Sequence, residues 1–150
     1  MPALDRDEVV PGLVVRLDTA RLRARGGSRT NAQSTADEDR AVTDVHDFLV
    51  LLVDARASQV TAIPLFPRSA PGSAPLDDRL RTGPAAWLAQ PVYYSRWQHW
   101  QIPVEALVDA ALEGPEAPGA RRTHASGNTD ALQDLANWAS RNRCTYREVR

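Results

Sequence analysis

The chain has 150 residues, 43 % of them apolar and 25 % charged, which suits one domain with one core and leaves no room for two. Its formal charge of −1 excludes a global field that would draw it to nucleic acid or to an anionic membrane, so only a local patch could serve such a partner. Every basic residue is an arginine, and alongside abundant alanine, proline and valine this reads as compositional bias rather than selection for arginine chemistry.

In chain order, Pro11-Gly12 marks a turn, and Leu13, Val15 and Leu17 alternate with Val14, Arg16 and Asp18 in the period of a half-buried strand spanning 9–18. From Gly26 to Arg40 there is no large apolar side chain, which predicts a mobile loop between strands. Phe48-Leu49-Val50-Leu51-Leu52-Val53 is a continuous apolar run, the pattern of a strand covered on both faces. A turn over 54–58 and a second run from Gln59 to Phe66 make an antiparallel hairpin with it, and Pro64, which has no N–H for the ladder, predicts an edge or a strand end.

Residues 67–91, rich in proline and glycine, predict an irregular excursion with one helical turn near Leu76 to Leu80. The aromatic density of 92–102 favours a strand, with Tyr93, Trp97 and His99 on one face and Tyr94, Arg96 and Trp100 on the other. Val104, Leu107, Val108, Ala111 and Leu112 fall at helical spacing after Pro103, which predicts a helix over 103–112 with Gly114 as its stop. A second helix is expected from Asp130 to about Arg143, burying Leu132, Leu135, Ala136 and Ala139, and Tyr146 and Val149 suit a short last strand. The predicted organisation is one domain over 1–150, with a β-rich part at 9–102, loops at 26–40 and 67–91, and a helical part at 103–150.

The only cysteine, Cys144, excludes an intramolecular disulfide and a zinc site built on several thiolates, and a reducing compartment is its simplest home. The charged first residues lack the apolar core of a signal peptide, and no run approaches the eighteen apolar residues of a membrane helix, so a cytoplasmic location without membrane contact is expected. His46, His99 and His124 form no H-x-x-H or H-E-x-x-H spacing, so no metal site is expected. No P-loop, G-x-G-x-x-G loop or G-x-S-x-G elbow is present, and no cofactor is expected. His46 beside Asp47 could orient a tautomer for acid–base work, but neighbours in a strand point to opposite faces, which favours a strand end without chemistry.

Tyr93-Tyr94-Ser95-Arg96-Trp97-Gln98-His99-Trp100 interleaves rings with polar side chains, a pattern that stacks on bases or lines a peptide groove. Tyr93, Arg96, Trp97 and Trp100 are the candidate binding residues. Tryptophan is nevertheless more often core than platform.

Val10-Pro11-Gly12-Leu13-Val14-Val15-Arg16-Leu17-Asp18 resembles the opening Pro-Gly-x-Val-x-x-x-Asp strand of the PemK/MazF toxin family, and Val60-Thr61-Ala62-Ile63-Pro64-Leu65 is similar to its third strand. The resemblance covers about residues 9–66. It implies a small antiparallel SH3-like β-barrel or strongly bent sheet, which with the two C-terminal helices expected from the periodicity makes an α+β fold. It also implies a bacterial toxin–antitoxin or defence context, and the chain is compatible with a homodimer as in that family. Where RNA-cleaving members carry an Arg-Pro pair and a Thr or Ser after Pro-Leu, this chain has His46-Asp47-Phe48 and Phe66-Pro67. Arg16, His46 and Arg68 are then the residues available to a catalytic groove. The expectation is a toxin-like domain binding RNA or a protein partner, without the family's cleavage residues; the alternative is a non-enzymatic interaction module such as an adaptor, inhibitor or phage-type regulator.

Overall fold

The computed structural model describes residues 4–32, 41–77, 80, 91–95, 98–112, 123–124, 129–141 and 146–149. After a 3-10 turn at Arg6–Glu8, strand β1 spans Leu13–Asp18 and helix α1 Thr19–Arg25. Gly12 stands at φ 96°, a left-handed turn conformation that a side chain would strain, and its N–H reaches the Val50 carbonyl to start the β1 ladder. The Asp18 side chain caps α1 by accepting from the Ala20 N–H, and Gly26 at φ 79° closes it with a bond to the Leu22 carbonyl. This helix has no strong sequence signal, because only Thr19 and Leu22 are buried.

Strand β2 is Arg29–Thr30, β3 Val45–Asp54 and β4 Gln59–Phe66. β5 (Ser73–Pro75), β6 (Tyr93–Ser95) and β7 (Trp100–Pro103) follow, then helix α2 at Val104–Ala110. β8 is Thr123–His124, helix α3 Thr129–Arg141 and β9 Arg147–Glu148. The sheet runs β8-β1-β3-β4-β7-β2-β9, with β6 also on β4 and β5 on β6. The fold is α+β with an antiparallel sheet that does not close among the described strands, so the barrel expected from the resemblance is not seen there. Two helices follow residue 103, as the periodicity predicts, and no helix among the described residues is long and apolar enough to cross a membrane.

Both sheet faces are covered at Phe48–Leu51, which explains the apolar run there, whereas Leu52 at the end of the run is exposed. On one face Leu13, Val15, Leu17, Phe48, Val50, Trp100 and Ile102 pack with Leu107 of α2, and Phe48 meets Trp100 edge-on at 5.6 Å. On the other, Val14, Leu49, Leu51, Ile63 and Leu65 pack with Ala131, Leu135 and Ala136 of α3 and with Leu76 and Leu80. The excursion after β4 therefore contributes core, and a turn joins Asp77 to Leu80.

Three expectations are corrected by this topology. Pro64 is not at a strand end, and the edge it marks is a local gap inside the sheet. It lies inside β4, where β7 has already left (its pairs end at Ala62) and β6 begins only at Leu65, so on that side no partner needs its missing N–H. The stretch 26–32 is not a loose loop: Ser28, Thr30, Asn31 and Ala32 are buried, held by polar bonds rather than large apolar side chains. Residues 33–40 lie outside the described set. The aromatic run is two strands instead of one. Leu65 pairs with Tyr94 and Ala62 with Trp100, so the segment gains three residues between β6 and β7 and the alternation inverts. Tyr94 and Trp100, expected on one face, are on opposite faces, Tyr94 beside Trp138 of α3 and Trp100 in the other core.

Candidate functional site

Trp100 is fully buried, so it is a core residue and not a binding platform in this fold. Its indole N–H donates to Gln98 Oε1 over 2.8 Å, and that oxygen also accepts the Val42 N–H at 3.0 Å. Arg23 lies over the ring, its guanidinium carbon 5.9 Å from the centroid, and donates to the Val42 carbonyl at 2.6 Å. Burial pushes the Arg23 pKa down while Asp44 pushes it up. Arg96 and Trp97 lie outside the described residues.

The three residues offered for a catalytic groove do not converge. Arg16 faces Asp47 across β1 and β3 and holds its carboxylate twice, Nε to Oδ1 at 3.0 Å and Nη2 to Oδ2 at 3.4 Å. His46, one residue before Asp47, pairs with Leu17 and so sits on the opposite face from Arg16. Arg68 is exposed beyond the end of β4. Burial lowers the His46 pKa first of all. A bond to the Leu65 backbone and the Asp47 and Asp44 charges act the other way, and Arg16 adds to the lowering.

His46 does meet another expected residue through an intermediary that sequence reasoning passed over. Its ring is edge-on to Phe66 with centroids 5.5 Å apart, Phe66 is the cross-strand partner of Tyr93, and Tyr93 is the partner of Pro75 on β5. Cross-strand partners share a face, so His46, Phe66, Tyr93 and Pro75 form a row over β3, β4, β6 and β5, spaced by about 4.8 Å per strand. His46, Phe66 and Tyr93 are half-buried and Pro75 exposed, which leaves part of each side chain open to a partner. The strand assignment of 59–66 was the available signal for Phe66.

A second polar centre lies on the α3 side, and sequence reasoning missed its members Asn31 and Tyr146. His99 is fully buried; its backbone N–H donates to Asn31 Oδ1 at 2.8 Å and its carbonyl accepts from Thr30 Oγ1 at 2.9 Å. The Asn31 amide nitrogen stands 3.1 Å from the imidazole Nε2, and the Tyr146 hydroxyl bonds Nδ1. No sequence spacing announces these contacts, because the residues are separated by 68 and 47 positions.

Next to this centre the same sheet face is open. Leu52, Thr61, Gln101, Arg29 and Glu148 are successive cross-strand partners, and Leu52, Asp54, Arg56, Gln59, Thr61 and Gln101 border a shallow depression. Elsewhere four described arginines are paired with carboxylates: Arg6 with Glu105, Arg21 with Asp18 and Arg25 with Asp109, besides Arg16 with Asp47. No group of His, Cys, Asp or Glu side chains among the described residues could hold a metal ion. Comparison of the chain with protein-family models, with curated proteins and with solved structures gives no match.

Proposed function

We propose that this chain is a non-enzymatic protein-interaction module that receives an extended apolar segment of a partner protein on the row His46, Phe66, Tyr93 and Pro75. The observation that carries the reading is the row itself: three half-buried aromatic side chains on adjacent strands. Ring edges held by a sheet bind extended segments without ordering cost in the host. The pairing of Arg6, Arg16, Arg21 and Arg25 with carboxylates supports a protein partner, since a nucleic acid is drawn by clustered unpaired cations. A cytoplasmic setting belongs to the same reading and rests on the single cysteine.

The second reading is a toxin-like or defence-associated RNA binder of SH3-like build. Arg68, exposed beyond the row, favours it, because stacked rings with a guanidinium nearby are a means of holding single-stranded RNA.

The test is nuclear magnetic resonance mapping of the full chain with a mixed-sequence RNA octamer and, separately, with extended apolar peptides. Peptide-induced shifts at His46, Phe66 and Tyr93, abolished in Tyr93→Ala, are expected. Shifts caused by RNA and weakened steeply by salt would move the assignment to the second reading, and shifts with neither ligand would remove the row as a site.

A further inference from the structure

The walls around the His99 ring and the ring seated against it come from different parts of the chain. Asn31 accepts the His99 backbone N–H on Oδ1, so its amide nitrogen is the group facing Nε2 and donates to it. Nε2 therefore carries no proton, Nδ1 does, and Nδ1–H donates to the Tyr146 hydroxyl oxygen. Trp138 of α3 stands edge-on to His99 with centroids 5.8 Å apart, and Tyr94 stands edge-on to Trp138 at 5.6 Å. Tyr94 and Trp138 pack against the α3-side core, and Asn31 and His99 are themselves buried.

The occupant is the Tyr146 ring, edge-on to His99 at 5.3 Å. It rides on β9, which has two residues, both exposed, and only two register pairs with β2. The segment is also tied by Val149 N–H to the Ser28 carbonyl at 2.8 Å, by Arg29 to the Tyr146 carbonyl at 3.3 Å and by the Gly27 N–H to Glu148 at 3.3 Å, and the Val149 side chain is buried in the core on the other sheet face.

We propose that this cleft is a tyrosine-recognition site filled here by the chain's own Tyr146, and that a tyrosine-bearing extended segment of a partner protein displaces residues 146–149 to occupy it. The proposal rests on the protein-interaction reading and deepens it by naming a second site and its ligand. The directed Nδ1–H selects a ring bearing an acceptor, which phenylalanine lacks, and the ring edges of His99 and Trp138 select a planar ring. The incoming backbone takes the edge of β2 as β9 does, and its flanking side chains meet the open face at Gln101 and Arg29.

The test uses the full chain carrying Tyr146→Ala, with p-cresol and toluene as probes and Ac-Tyr-Arg-Glu-Val-amide beside its phenylalanine analogue as peptides, followed by calorimetry. Expected are p-cresol binding about tenfold tighter than toluene, and the tyrosine peptide binding Tyr146→Ala about tenfold tighter than the unsubstituted chain. Equal binding of p-cresol and toluene, or binding of neither by the folded variant, overturns the proposal. Should Tyr146→Ala not fold, hydrogen exchange of Tyr146→Phe decides: faster exchange at Thr30 and Val149 with β3 unchanged is expected, and uniform acceleration across the sheet overturns a displaceable segment. Tyr93→Ala is expected to leave both probes bound, so failure at the ring row and failure at this cleft are read separately.

Discussion

Asn31 and His99 are joined three times, through the His99 backbone N–H to Asn31 Oδ1, through the Asn31 backbone N–H to the His99 carbonyl and through the imidazole Nε2, although 68 positions separate them. This pair ties the segment after β2 to the interruption between β6 and β7, and it is the reason the histidine can be fully buried: a polar group in the core is tolerated when its hydrogen bonds are met. Replacing Asn31 by Ala leaves a buried N–H and a buried ring nitrogen without this partner. A loss of about 2–3 kcal/mol in urea unfolding is expected, and a change below about 0.5 kcal/mol would show that the pair is not what holds the segment.

Trp100 and Tyr93 separate stability from binding. Trp100→Ala empties a fully buried site beside Phe48 and is expected to cost about 3–5 kcal/mol, whereas Tyr93→Ala, at a half-buried position, costs about 1 kcal/mol and removes peptide binding. Denaturant unfolding of both variants, set beside their peptide titrations, checks the split. Comparable destabilisation by the two would place Tyr93 in the core.

His46 makes stability depend on pH. Its folded-state pKa lies below the ordinary value of 6.5, with burial the largest cause, so the unfolded chain binds the proton more readily. The sign follows: the His46 contribution is fully present above 6.5 and is lost as pH falls below it. The difference in unfolding free energy between the unsubstituted chain and His46→Gln, followed from pH 8 to 5, is expected to shrink toward acid; a difference that grows there would refute the assignment.

Ser28 offers a gain. Its hydroxyl is buried without a hydrogen-bond partner, while its carbonyl is engaged by Val149. Ser28→Ala removes the unmet group and is expected to raise stability by about 1 kcal/mol, read as a shift in the urea midpoint at constant slope.

Much of the framework was legible in the chain. β1, the hairpin of β3 and β4, α2, most of α3 and the short last strand each carry their own periodicity, and the apolar run of β3 announced a sheet covered on both faces. Helix α1 was not legible, because with Thr19 and Leu22 its only buried residues its stability comes from the Asp18 cap and from packing. At the candidate sites, His46 and Tyr93 were visible as residue types, but their link through Phe66 exists only once β4 lies between β3 and β6.

Amino-acid pattern by itself determined where β1, β3, β4, α2 and α3 form, since periodicity acts over neighbours along the chain. Tertiary structure alone decided which side chains share a face. Three extra residues between Leu65–Tyr94 and Ala62–Trp100 invert the alternation and send Trp100 into one core while Tyr94 turns to α3. Likewise the pairing of Arg16 with Asp47, the ring row at His46 and the seat of Tyr146 on His99 depend on register between distant strands, which the closing of the two cores sets and local pattern does not.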